Sequence, residues 1–183
     1  GGSYASGRAC PAESAATAIA PWQPPSLPDR PLLLRRPPVA SETANLDGAP
    51  SNPLTAQIRE LADRAQWEAA DALCQTLIDK DRLNPVGHFY HSLVLEQMGR
   101  RQEAATALNR AIYLDRDFVL AHYNKGLLLQ NGEDLAGAAR SFRNVLTLLR
   151  PMSPDRRLAE ADGISAADLA ELAQMQLEVL EGV

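Results

Sequence analysis

The stretch AHYNKGLLLQNG, residues 121–132, sets a tyrosine, an asparagine and a lysine directly ahead of a glycine, on a segment whose leucines carry helical spacing. Glycine inside a helix costs roughly 1 kcal/mol relative to alanine, so Gly126 needs a reason. Close approach of a second helix supplies one, because a side chain there would hold the two backbones apart.

Working outward, Gly126 belongs to a pattern. Ile58, Ser92 and Gly126 lie 34 residues apart, followed three residues later by Leu61, Leu95 and Leu129. Ala70, Ala104 and Ala138 keep the same spacing, as do Cys74, Leu108 and Phe142, and Leu77, Ala111 and Val145. A period of 34 with a small residue late in one helix and alanine early in the next resembles the tetratricopeptide repeat, a helix-turn-helix unit. The expected fold is therefore all-α, a right-handed superhelix of three such repeats. Repeats fall at about 53–84, 85–118 and 119–152.

Local punctuation places the helices. First helices are expected at about 53–64, 85–98 and 119–131, and second helices at about 68–80, 101–114 and 135–149. Pro53 and Pro85 suit first-turn positions, where a missing amide hydrogen costs little. Gly99 and Gly132 mark turns within repeats two and three, and Ala65 stands where repeat two has Gly99. A final helix opens at GISAADLAEL, residues 163–172, where Ser165 and Asp168 form a capping-box pattern. Leu169, Leu172, Met175, Val179 and Leu180 give this cap helix, about 165–181, an apolar stripe, with Asp168, Glu171, Glu178 and Glu181 outward. Such a helix closes the open apolar end of a repeat stack.

Residues 1–52 read differently. Nine of the 13 prolines fall between Pro11 and Pro50 among Ser, Ala and Gly, a composition that buries too little to offset its ordering entropy. This segment is expected to be a disordered linker or tail, and its RPLLLRRPP stretch, residues 30–38, is suited to docking in extended form, even in the groove of its own molecule. With a net charge of -5, the chain has no basic face for nucleic acid. No apolar run reaches the roughly 20 residues of a membrane span, so membrane insertion is not expected and the chain reads as cytoplasmic. Two cysteines, Cys10 and Cys74, form no disulfide framework.

Motifs for catalysis are missing: there is no GxGxxG, phosphate loop or nucleophile elbow, and the carboxylates are scattered over helix faces. His88, His91 and His122 fall close together in the repeat pattern, but no fourth ligand completes a zinc set, so packing roles are expected and no metal or cofactor.

The first helices of such a stack line its concave side. By helical spacing, the expected peptide-binding groove comprises Arg59 and Asp63, beside Thr55, from repeat one; Phe89, Tyr90, Leu93 and Gln97 from repeat two; and Tyr123, Asn124, Leu127 and Asn131 from repeat three. Aromatic rings with neighbouring amides offer contact area and backbone pairing to a peptide. Packing of Phe89 and Tyr123 against the neighbouring repeat is the alternative.

Three segments, RAIYLDRDFVLAHYNKG (110–126), FRNVLTLL (142–149) and SPDRRLAEADGISAADL (153–169), resemble the tetratricopeptide extension of bacterial chemotaxis receptor methyltransferases of the CheR type. That resemblance implies a non-catalytic docking or regulatory module, attached to an S-adenosylmethionine-dependent protein-glutamate methyltransferase whose catalytic domain is not part of this sequence. Its implied partners are a chemoreceptor, a signalling protein or its own catalytic domain. Autoinhibitory packing, homo-oligomerisation through the tail or cap helix, and a repeat scaffold unrelated to chemotaxis are the alternatives.

Overall fold

The computed structural model describes residues 52–182 other than 159 and 162. The proline-rich segment expected to be a linker therefore lies outside the described residues, except for Asn52. Seven helices follow one another: α1 (Pro53–Asp63), α2 (Trp67–Lys80), α3 (Pro85–Gln97), α4 (Arg101–Leu114), α5 (Val119–Asn131), α6 (Leu135–Leu149) and α7 (Ala166–Glu181). Each helix packs on the next, α1 also meets α3, and α7 closes the stack against α6. The described residues contain no strand, only an isolated bridge between Arg157 and Ser165.

Helix entry repeats chemically. Asn52 and Asn84 each accept a hydrogen bond on Oδ1, from the amides of Leu54 (3.0 Å) and Val86 (2.9 Å), with a proline next in sequence. The side-chain oxygen satisfies an amide that the helix leaves unpaired, and proline has none to satisfy.

The turns inside the repeats also share one geometry. Ala65, Gly99 and Glu133, 34 residues apart, have φ of 54°, 75° and 66°. In each, the following amide reaches back to the first helix, Gln66 to Leu61 (2.9 Å), Arg100 to Leu95 (2.9 Å) and Asp134 to Leu129 (3.0 Å), which is the Schellman closure. In the third turn Gly132 ends α5 with φ of -95°, and Glu133 rather than the glycine takes the left-handed position.

Between the helices of one repeat, the core trades volume between partners. A Cβ on Gly126 would lie 2.7 Å from the Phe142 ring, so α5 and α6 meet here with ring against backbone. The equivalent pairs are Ser92 with Leu108 and Ile58 with Cys74, all buried. As one partner grows from nothing to hydroxymethyl to the sec-butyl group of isoleucine, the other shrinks from phenylalanine to leucine to cysteine. Close-packed interiors tolerate such exchanges only when total volume is kept.

The cap helix buries Ala166, Leu169, Ala173 and Leu177. Met175 and Val179, placed in the apolar stripe by spacing, are exposed at 51% and 56%, so the buried seam is rotated from the one expected. The seam follows the 166/169/173/177 spacing of a narrow helix contact.

Candidate functional site

Helical spacing groups the expected groove residues of the first helices into three rows, each stepping by 34 residues: Thr55, Phe89 and Tyr123; Arg59, Leu93 and Leu127; Asp63, Gln97 and Asn131. The rows differ in what they offer. Phe89, Tyr90, Leu93, Tyr123 and Asn124 are all buried, none more than 4% exposed. Phe89 packs against Tyr90 and Phe118 with ring centroids 5.6 and 5.0 Å apart, and Tyr123 stands edge-on to Phe142 at 5.7 Å. The Asn124 amide donates to the Leu120 carbonyl of its own helix at 2.8 Å. In this structure these five side chains are buried, and the ring partner of Tyr123, Phe142, belongs to the same repeat. Gln97 and Leu127 are half-buried, while Asp63 and Asn131 are exposed.

Two of the expected residues come together around a third that the repeat pattern does not contain. Arg59 Nε donates to the Tyr90 hydroxyl at 2.7 Å, and the same hydroxyl donates to Glu160 Oε2 at 2.8 Å. Arg59 Nη2 lies 3.4 Å from the Glu160 carbonyl and 3.9 Å from its carboxylate. Burial, and next the Glu160 carboxylate, hold the Tyr90 hydroxyl well above its ordinary titration range, so it stays protonated and donates. The side chains of Arg59 and Glu160 are 31% and 27% exposed, so the cluster is partly open to solvent.

Glu160 arrives on the connection between α6 and α7. That connection folds on itself: the Leu158 amide donates to the Ile164 carbonyl (3.0 Å), the Ile164 amide to the Ala161 carbonyl (3.0 Å), and the Ala166 amide to the Arg156 carbonyl (2.8 Å). Gly163, at φ 82°, supplies the left-handed residue that the reversal requires, and Arg157 donates to its carbonyl. Ala161 is fully buried, and Met152, Leu158 and Ile164 pack against the core. A pocket of about 300 Å³ remains beside it, bordered by Phe118, Leu120, Met152, Arg156, Leu158 and Glu160. The available signal was the spacing of Leu158, Ala161 and Ile164, apolar positions among charges in a segment outside the 34-residue period.

The histidines hydrogen-bond to neighbouring polar groups. His88 and His122 each place Nε2 against a carbonyl six residues earlier, that of Arg82 (3.2 Å) and of Arg116 (3.0 Å). A carbonyl only accepts, so these nitrogens carry the hydrogen. His91 Nε2 lies 2.8 Å from Asp71 Oδ1. Among the described residues no group of His, Cys, Asp and Glu has the arrangement of a metal site, and no helix is long and apolar enough to cross a membrane.

No protein-family model matches the chain. A curated relative, DnaJ homolog subfamily C member 3 of Mus musculus, is 28% identical over 120 residues, which cover 64% of this chain and 24% of that protein. Its Rattus norvegicus counterpart is 29% identical over 119 residues, 64% of this chain and 23% of that one. The chain thus spans about a quarter of the curated relatives it matches. Among solved structures, PcrH in complex with the chaperone binding region of PopD superposes with a TM-score of 0.61 at 17% identity, covering 71% of this chain and 90% of that one. The Yersinia enterocolitica type III secretion chaperone SycD, in complex with a peptide of the translocator YopD, gives 0.60 at 14%, covering 70% and 90%. The first TPR of Spaghetti bound to an HSP90 peptide gives 0.52 at 18%, covering 68% and 90%. Together with the 34-residue turns and volume-matched helix pairs, these likenesses define the class: an all-α stack of tetratricopeptide-type repeats with a C-terminal cap helix.

Proposed function

We propose that residues 53–183 form a protein-interaction module that binds a partner polypeptide on the face lined by α1, α3 and α5, with residues 1–52 as its linker. The observation that carries this reading is the Arg59–Tyr90 pair, built from two different repeats and meeting a carboxylate in a cluster partly open to solvent. Next to it, Gln97, Leu127 and Asn131 offer amides and an apolar side chain with some or full exposure, the mixture that fixes an extended chain by backbone pairing and contact area. PcrH, SycD and Spaghetti, which share the fold, are each seen with a peptide or binding region of a partner.

Selection of a phage-displayed library of random peptides on the immobilised full chain tests this, beside a Leu127→Arg variant. Related peptides enriched on the wild type and not on the variant are expected. Equal enrichment on both, or none above the bare surface, would remove the reading.

A narrower reading rests on the sequence resemblance alone: the module docks or regulates a chemotaxis-type methyltransferase on chemoreceptors or signalling partners. What favours it is the motif series from residues 110 to 169, including the segment that carries Glu160. A purified chemoreceptor cytoplasmic fragment retained by the wild type and not by Leu127→Arg would support it. Retention of neither leaves a repeat scaffold with other partners, and concentration-dependent sedimentation of the chain alone would favour self-association.

A further inference from the structure

We propose that the outer face of α7 is a second docking surface, and that its partner is an amphipathic helix of another polypeptide carrying aliphatic residues beside lysine or arginine. That surface lies on an element the peptide-binding reading above does not use.

Among the described residues, the large apolar side chains that stand exposed are Leu83, Tyr113, Leu135, Met175 and Val179. Leu83 lies in the turn before α3, Tyr113 on α4 and Leu135 at the start of α6, each apart from the others in the chain. Met175 and Val179 alone share a helix, four residues apart and so on one face. Half-buried Leu172 extends them to a 172/175/179 stripe. The stripe that α7 buries, 166/169/173/177, lies on the opposite side, because Met175 follows Ala173 by two residues and thus by roughly 200° of turn. One apolar stripe is enough to hold a surface helix to its core. α7 has a second, and apolar side chains grouped in the open with polar residues around them mark a contact surface.

The charges of α7 select the partner. Its sequence, AADLAELAQMQLEVLE, holds four carboxylates and neither lysine nor arginine. Two of the four have tasks in the fold: Asp168 closes the capping box, and Glu181 pairs with Arg143 at 2.7 Å. Glu171 and Glu178 are exposed, seven residues apart and therefore two turns apart along one edge of the 172/175/179 stripe. Glu178 accepts from the Gln174 amide at 3.2 Å, and among the described residues neither glutamate forms an ion pair. A second copy of the same face would set these carboxylates against one another, which like charges resist. An extended peptide finds no backbone to pair with, since a helix spends its amides and carbonyls on itself. A helix with aliphatic residues at i, i+3 and i+7 and cations two turns apart along one edge meets both the stripe and the two carboxylates.

The test uses the full chain and a fluorescent synthetic helix of about three heptads, with leucine at a and d and lysine at e and g. A second probe has glutamate in place of each lysine. Read by fluorescence anisotropy, the lysine probe should bind the wild type and the glutamate probe should not. Met175→Gln with Val179→Gln alters two exposed positions, so the fold persists, and should weaken binding about tenfold or more. Glu171→Gln with Glu178→Gln should weaken it severalfold and flatten its dependence on salt. Unchanged affinity in either double variant overturns the proposal, as does a lysine probe that does not bind or a glutamate probe that binds equally well. Two other occupants have their own signatures, each of which also overturns it. A second copy would give a dimer in sedimentation equilibrium that Met175→Gln with Val179→Gln abolishes. The chain's own RPLLLRRPP stretch would give a lysine probe that binds tighter after Leu33→Asp. Leu127→Arg separates this surface from the peptide-binding one: the lysine probe should be unaffected, and its loss would place binding on the other face and sink the inference.

Discussion

At Gly126 two effects of opposite sign meet. Alanine would improve helix propensity by about 1 kcal/mol, but its methyl would fall 2.7–2.9 Å from three atoms of the Phe142 ring, which is fully buried and has no free direction to move. Overpacking of this kind costs about 1–3 kcal/mol and wins. Gly126→Ala should therefore lower the denaturation midpoint. Gly126→Ser with Phe142→Leu, which copies the Ser92–Leu108 pair of repeat two, should recover most of the loss. A double mutant no better than Gly126→Ala alone would contradict the volume exchange. Glu133 shows the converse. Its φ of 66° is strained for any side chain, and Gly99 holds the same turn one repeat earlier without that strain. Glu133→Gly should raise stability by about 1 kcal/mol in chemical denaturation, and an unchanged or lower midpoint would show that the turn is not strained.

At the scale of the element, α7 depends on its first turn. Ser165 Oγ accepts from the Asp168 amide at 3.1 Å and Asp168 Oδ2 accepts from the Ser165 amide at 3.3 Å, the reciprocal pair of a capping box. The Ser165 hydrogen bond holds the Asp168 carboxyl below its usual value. Ser165→Ala removes one half of the pair and should cost about 1 kcal/mol. Because Ser165 also pairs with Arg157 across the connection, exchange at Leu158 and Ile164 should rise in the same variant. Protection there equal to the wild type would show that the cap and the connection are independent. The capping box was legible from Ser and Asp at their spacing. The seam of α7 was not, since Met175 and Val179 suit an apolar stripe equally well and only the position of α6 decides which residues are covered.

For the whole molecule, pH tests how the layers hold one another. His91 sits between α3 and α2, where burial lowers its pKa below the ordinary 6.5 and the facing Asp71 opposes that, with Arg100 and His88 adding to the lowering. The folded chain thus takes up the proton at lower pH than the unfolded chain does. Where the unfolded state binds more protons, stability falls with falling pH, so it should decline as pH drops below 6.5. Glu96, whose carboxyl is raised by burial against the pull of Arg101, contributes with the opposite sign. Comparing denaturation of the wild type with His91→Asn on both sides of pH 6.5 isolates the histidine. The variant should lose less stability on acidification, and an equal loss would remove His91 from the account.

Periodicity together with local caps and turns determined the helices and the close contact at Gly126, because a 34-residue repeat makes each unit a check on the others and short-range rules govern caps and turns. Arg59 and Tyr90 were also named from helical spacing, since spacing determines which face a residue shares. What only the tertiary structure decided is what each face meets. Phe89, Tyr123 and Asn124 have the composition of a binding surface but spend their contacts inside the stack, and Glu160, in a segment with no repeat to place it, comes to rest on a pair from α1 and α3. Pairings between residues a hundred positions apart depend on how the helices stack and where the chain turns back. Neither is written in any local window of the sequence.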